Sequence, residues 1–182
     1  TAIGGFSIYN ENFGYFNDPA TEFVAVFFML MSATNFGLHF LSFSKRSFKY
    51  YLANDELKLF LSIIFVVVLV STLTLYMKEG FSVNDSIRYG FFQSISIVTT
   101  TGYTLEPLSG LGGSIGFLIF VLAFIGACSG SVGGGMKVWR VLLMLKVGFS
   151  NITKIIHPSA VSSVKLNGEK IVSSQIEAVF SF

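Results

Sequence analysis

The chain has 182 residues, of which 52% are hydrophobic and only 12% charged, with a formal net charge of +2 at neutral pH. Soluble domains carry about 25% charged residues, so the composition excludes an ordinary water-soluble domain, and the 21 phenylalanines read as lipid-facing or packing groups that imply no nucleic-acid partner. The single cysteine, Cys128, excludes an internal disulfide and most cysteine-ligated metal sites, and reads as a small buried residue.

Taken in chain order, the first element is the short polar stretch TAIGGFS, followed by a polar loop with Pro19. Residues 23–43 (FVAVFFMLMSATNFGLHFLSF) carry no formal charge and are long enough to cross a bilayer, since a 30 Å hydrocarbon core needs about 20 helical residues. His39, within this run, reads as a neutral, hydrogen-bonded histidine. A charged connection over 44–58 leads into a second uncharged run at 59–77 (LFLSIIFVVVLVSTLTLYM), which predicts a second span. Residues 82–98 hold an apolar run too short to cross, with Asn84 or Asp85 as its predicted helix cap. It reads as a helix that enters the membrane and returns, and it runs straight into VTTTGYT.

The next apolar region, 111–147, is broken. GACSGSVGGG, residues 126–135, has five glycines in ten residues, and each costs a helix about 1 kcal/mol against alanine. The pattern predicts a helix, an irregular intramembrane segment and a second helix. Irregular backbone at membrane depth is tolerated only where protein buries it or water lines it, so the break points to a cavity or pore. The glycines have a second reading as a close-packing seam between helices. A phosphate-cradling loop is disfavoured, because the G-x-x-x-x-G-K-[ST] spacing is not met. Lys137 and Arg140, three residues apart, are expected on one helical face near the inner boundary, either snorkelling to the interface as anchors or, for Lys137, facing the pore as an electrostatic barrier. His157, before Pro158, reads as structural. The chain begins without methionine and stops inside an apolar run, IVSSQIEAVFSF, too short to span, and so reads as an excerpt of a longer membrane protein.

Charge sets the orientation. Lys45, Arg46, Lys49 and Lys58 outnumber Asp55 and Glu56 in the first connection, and Lys146, Lys154, Lys165 and Lys170 outnumber Glu169 after the broken span. The positive-inside rule makes both connections cytoplasmic. Glu11, Asp18, Glu22 and Glu106 then fall on the outer side, together with the connection that ends at Arg88. A re-entrant helix on that side followed by threonines and a glycine has the layout of a pore loop. Backbone carbonyls there can replace the hydration shell of a cation, the glycine allows a backbone twist closed to other residues, and the helix C-terminus favours positive charge. TAIGGFS superimposes on VTTTGYT, pairing Gly5 with Gly102, Phe6 with Tyr103 and Ser7 with Thr104. That spacing fits one span, pore loop, span unit. A ring around an ion needs about four such loops, so the others must come from further chain or other subunits.

SIVTTTGYT, the broken helix with GACSGSVGGGMKVWRVLL and the IIHPSAVSSVKLNGEKI hairpin together resemble the Trk/Ktr/HKT superfamily of potassium transporters, most closely its bacterial TrkH-type branch. The resemblance implies an all-α polytopic membrane protein in which span, pore loop, span repeats sit in a pseudo-fourfold arrangement around one ion pore. Residues 1–44 would be the end of the second repeat, 45–150 the third, and 151–182 a cytoplasmic hairpin with the start of the fourth. Carried over by position, it makes Gly5 and Gly102 filter glycines and gives Ile3, Gly4, Thr99, Thr100 and Thr101 as sources of carbonyls to potassium. It maps the gate loop to Gly126, Gly130, Ser131, Gly133, Gly134 and Gly135, below the filter, with Lys137 next. It implies potassium as substrate and only metal, no cofactor on this chain, and location in the bacterial inner membrane. It also implies a homodimer and a cytoplasmic TrkA-like regulatory ring that binds ATP, ADP or NAD.

Three function classes follow. One is potassium uptake through a carbonyl-lined filter gated by the glycine loop. Another is a secondary transporter of another cation or solute that binds at the broken helix, against which the two recognisable repeats have the same topology. An intramembrane enzyme is disfavoured, because no Asp or Glu falls within the runs at 23–43 and 59–77, and neither Ser129 nor Ser131 has an evident partner.

Overall fold

The computed structural model describes residues 4–78, 80–105, 121–157, 165–171 and 173–181. Among these residues the fold is helical apart from one short hairpin. A 3-10 turn, Asn12–Phe16, precedes helix α1, Pro19–Ala33. The start of α1 is fixed by Asp18, whose carboxylate accepts from the backbone of Ala20 and Thr21 at 3.4 and 3.0 Å and from the Thr21 hydroxyl at 2.6 Å. Pro19 follows at a position where a missing N–H leaves nothing unsatisfied.

The uninterrupted span predicted over 23–43 is not formed. α1 ends at Ala33, a new helix α2 runs over Phe36–Ser44, and the two bend by 97°. The cause is local and then tertiary. The Ser32 and Thr34 hydroxyls bond back to the carbonyls of Phe28 and Leu30 at 2.7 and 2.9 Å, which competes with the regular helix ladder. Asn35 then caps α2, its side chain accepting from Gly37 N at 2.7 Å. The backbone groups freed at this break are met by a second break far along the chain. Cys128 N donates to the Ala33 carbonyl at 3.1 Å, Val132 N to Ser32 at 3.2 Å, and Phe36 N to Gly130 at 3.1 Å. Two irregular segments thus satisfy each other where lipid could not. His39 is hydrogen-bonded, as expected: Nε2 donates to the Met31 carbonyl at 2.8 Å and Nδ1 shares a bond of 2.7 Å with the Tyr51 hydroxyl.

After the short α3, Lys49–Ala53, helix α4 covers Asp55–Lys78. At 1.5 Å per residue it is about 36 Å long, more than the hydrocarbon core requires. The most apolar 18 residues of its Asp55–Met77 portion have a mean hydropathy of 2.6, and this is the one described helix long and apolar enough to cross alone. Phe60, Ile64, Val67, Ser71 and Leu75 form its buried stripe, while Leu61, Phe65, Leu69 and Leu73 are exposed. Such a face needs lipid or another helix beside it rather than water.

Helix α5, Val83–Val98, packs closely on α4, where a Cβ at Gly90 would lie 2.5 Å from the Thr72 hydroxyl. Its cap is Ser82, which accepts from Asp85 N at 3.2 Å, rather than the predicted Asn84 or Asp85; the Asp85 carboxylate in turn accepts from the Ser82 hydroxyl at 2.7 Å. At about 24 Å the helix is too short to span, and its last residues, Phe92 to Val98, are all buried. Helix α6, Val138–Ile156, and helix α7, Ser173–Phe180, share a small core of Leu142, Leu143, Leu166 and Val179. Between them lies a hairpin of Lys165–Leu166 and Glu169–Lys170, turned at Asn167 and Gly168, both at positive φ as a tight hairpin turn demands. Asn167 reaches back to the start of α4, accepting from Asp55 N at 2.8 Å, and Lys146 of α6 bonds both Asp55 and the Lys165 carbonyl at 2.7 and 2.8 Å.

Candidate functional site

The site is built where α5 ends. Beyond Val98 the chain turns back on its own helix: Thr100 N donates to Ile97, and both Thr101 N and Gly102 N donate to Ser96, at 2.8, 2.8 and 3.2 Å. The amides of this turn are therefore spent on carbonyls of its own helix. Thr100 and Gly102 have φ of 59° and 85°. The Thr99 and Thr101 hydroxyls bond each other at 2.8 Å and both residues are buried. Gly5, from the matching stretch at the start of the chain, has φ of 63°, and the two glycines abut. A Cβ on Gly5 would stand 2.8 Å from the Thr101 carbonyl and 3.2 Å from Gly102 Cα, and one on Gly102 would stand 3.3 Å from Gly5 Cα. At both positions backbone angle and space demand glycine. Gly4 adjoins this contact, and Ile3 lies outside the described residues.

The two turns are held together by further contacts between the segments that flank them. Phe13 N and Gly14 N donate to the Thr104 carbonyl at 3.1 and 3.3 Å, and Phe13 packs on Phe92 and Tyr103. Arg88 of α5 makes a two-pronged bond to Glu22 of α1, Nε to Oε2 at 2.9 Å and Nη2 to Oε1 at 2.5 Å, and also donates to Asn17 at 2.9 Å. Glu22 is 5% exposed. Both residues read in the sequence as ordinary outer-side charges; their pairing between α1 and α5 has no local sequence signal.

Below the turn lies the glycine loop. Residues 121–125 are helical, the chain is irregular from 126 to 137, and α6 follows. The loop closes on itself through Ala127 N to the Gly134 carbonyl at 3.3 Å and through Gly126 against Gly135, where a Cβ on Gly135 would stand 2.6 Å from Gly126 Cα. Its glycines thus pack loop on loop rather than forming a seam between helices. It meets the turn above directly: Gly134 N donates to the Thr100 hydroxyl at 2.7 Å, and a Cβ on Gly133 would lie 3.1 Å from the Thr99 carbonyl. The Ser131 hydroxyl bonds the Cys128 carbonyl at 2.5 Å, Cys128 itself is buried, and Gly130 sits against Asn35.

Lys137 and Arg140 do not share a helical face. Lys137 stands before α6 with φ of 76°, and its ammonium bonds the Gly133 carbonyl, whereas Arg140 lies within the helix and borders a cavity of about 530 Å³ with Phe124 and Met144. Unrecognised in the sequence is Glu56. It was counted among the cytoplasmic charges but is 4% exposed, and its carboxylate accepts from Ser129 N at 2.6 Å and from the Ser129 hydroxyl at 3.0 Å. Ser129 therefore has a partner after all, though not one that makes a nucleophile. The only signal was positional: Glu56 stands one turn before Phe60 on the buried stripe of α4.

A family model described as TrkH, cation transport protein, matches residues 2–182. The chain is 36% identical over 181 residues to the Trk system potassium uptake protein TrkH of Halomonas elongata and 38% identical over 182 residues to the protein of the same name from Escherichia coli, in each case over 100% of this chain and 38% of the relative. The crystal structure of the potassium transporter TrkH from Vibrio parahaemolyticus matches with a TM-score of 0.92 at 36% identity, over 99% of this chain and 39% of that one. The chain thus spans less than half the length of the relatives it matches. With the match running from its second residue to its last, and with the abutting glycine turns and the loop beneath them, the chain belongs to the TrkH family of cation transport proteins.

Proposed function

We propose that this chain supplies part of a potassium uptake pathway across the bacterial inner membrane, as the end of the second, the whole of the third and the start of the fourth of four pore-loop repeats around one ion path. The observation that carries the reading is the pair of abutting turns at Gly5 and Gly102, one of them at the C-terminal end of a helix too short to span. Potassium sheds water there onto backbone carbonyls of residues 3–5 and 99–102, favoured by the partial negative charge at the end of α5. The glycine loop closes the path from below, and Lys137 adds a positive charge to it. The names of the relatives support potassium as the ion. The whole protein works as a homodimer with a nucleotide-binding regulatory ring on its inner surface. A solute site at the broken helix is less well supported, because the breaks at 32–36 and 128–132 spend their backbone groups on each other.

Rubidium uptake by the complete polypeptide in proteoliposomes, with potassium and sodium as competitors, tests this. Wild-type uptake is blocked by potassium and not by sodium, and Gly102→Ser relaxes that preference, because a side chain at φ of 85° is strained and meets Gly5. Equal preference in a folded Gly102→Ser protein rules the filter assignment out.

A further inference from the structure

We infer that Glu56 is a positioning residue, a latch that holds the glycine loop closed beneath the turn at Thr99 to Gly102; this rests on the gate reading above. A carboxylate this deeply buried is strongly unfavourable unless its oxygens are met. Here one oxygen takes the Ser129 N–H at 2.6 Å and the other the Ser129 hydroxyl at 3.0 Å. Ser129 lies near the start of the loop, so one side chain on α4 pins the segment where it leaves the preceding helix. A few residues beyond that pin stand Gly133 and Gly134, the residues in contact with Thr99 and Thr100. The nearest neighbours of the latch are otherwise engaged. Asp55 binds Lys146 and Asn167, and the Lys137 ammonium goes to the Gly133 carbonyl, a bond made by the loop to itself. A carboxylate that accepts from an N–H and a hydroxyl and an ammonium that donates to a carbonyl thus restrain the same loop from two sides.

The latch makes a prediction that a filler of space does not: loosening it should raise flux and leave ion preference alone. Glu56→Gln keeps the shape but turns an NH2 group toward donors, and Ser129→Ala deletes only the hydroxyl bond. Both are made in the complete polypeptide, reconstituted as above. Cys128, buried beside Ser129, serves as a reporter independent of conduction, its labelling by N-ethylmaleimide followed by peptide mass. In Glu56→Gln, rubidium uptake and Cys128 labelling should both rise about tenfold, the equivalent of about 1.4 kcal/mol, with unchanged potassium preference. Ser129→Ala should give a smaller rise in the same direction, and it decides the matter if Glu56→Gln does not fold. Wild-type rates of uptake and labelling in the folded variants, or an altered ion preference, overturn the latch. Faster labelling in a protein whose wild type shows no potassium-sensitive uptake keeps the latch and removes the conduction reading.

Discussion

At the exposed Asp18, bonds from the Thr21 hydroxyl and the Thr21 backbone outweigh a smaller desolvation and hold the carboxyl pKa below the usual 3.8. Because the folded value is the depressed one, the cap contributes stability above the ordinary carboxylate range and loses it as pH falls through the folded value. Melting curves of wild type and Asp18→Ala should therefore differ at neutral pH and converge in strong acid; a gap that persists there means that the carboxylate charge is not what matters. Single residues were unevenly legible in the sequence. The two glycines that abut, Gly5 and Gly102, could be found because a repeated pattern marked them twice, and Cys128 because a lone small thiol in an apolar chain has few roles. Glu56 could not, because α4 is apolar on all sides and its buried stripe leaves no polar alternation from which to extrapolate back one turn.

Among the elements, the two breaks show what sequence does and does not encode. Five glycines announce the break at 126–135 by their cost to a helix. Ser32, Thr34 and Asn35 are only three polar residues close together in a long apolar run, and the backbone groups that make a break tolerable there come from the far loop. The contact between α1 and α5 is equally non-local and turns on Arg88 and Glu22. Removing one member of a buried pair strands the other charge, at about 3 kcal/mol or more. Arg88→Ala should accordingly lower the thermal stability of the detergent-solubilised protein by about that amount, and the double variant Arg88→Ala with Glu22→Gln should recover part of it. Additive losses would mean that the two side chains act separately.

For the whole molecule, composition and charge carried more than any motif. The exposed leucines and phenylalanines of α4 place this chain among membrane proteins, in keeping with its family. The sidedness drawn from lysine and arginine makes a test: in intact spheroplasts a membrane-impermeant maleimide should label Asn84→Cys and spare Lys49→Cys, and the reverse pattern would invert the topology. The abutting turns could be read because the pattern around Gly5 recurs around Gly102; the bonds between distant segments could not, since nothing in one segment specifies its distant partner. The paired breaks also bear on how such a protein is made. During synthesis the bend between α1 and α2 emerges a full repeat before the residues at 128–132 that will satisfy it. Until then its open carbonyls at Ser32 and Ala33 must be served by water or by the insertion machinery, so the first half of this chain waits in the membrane for the second to complete it.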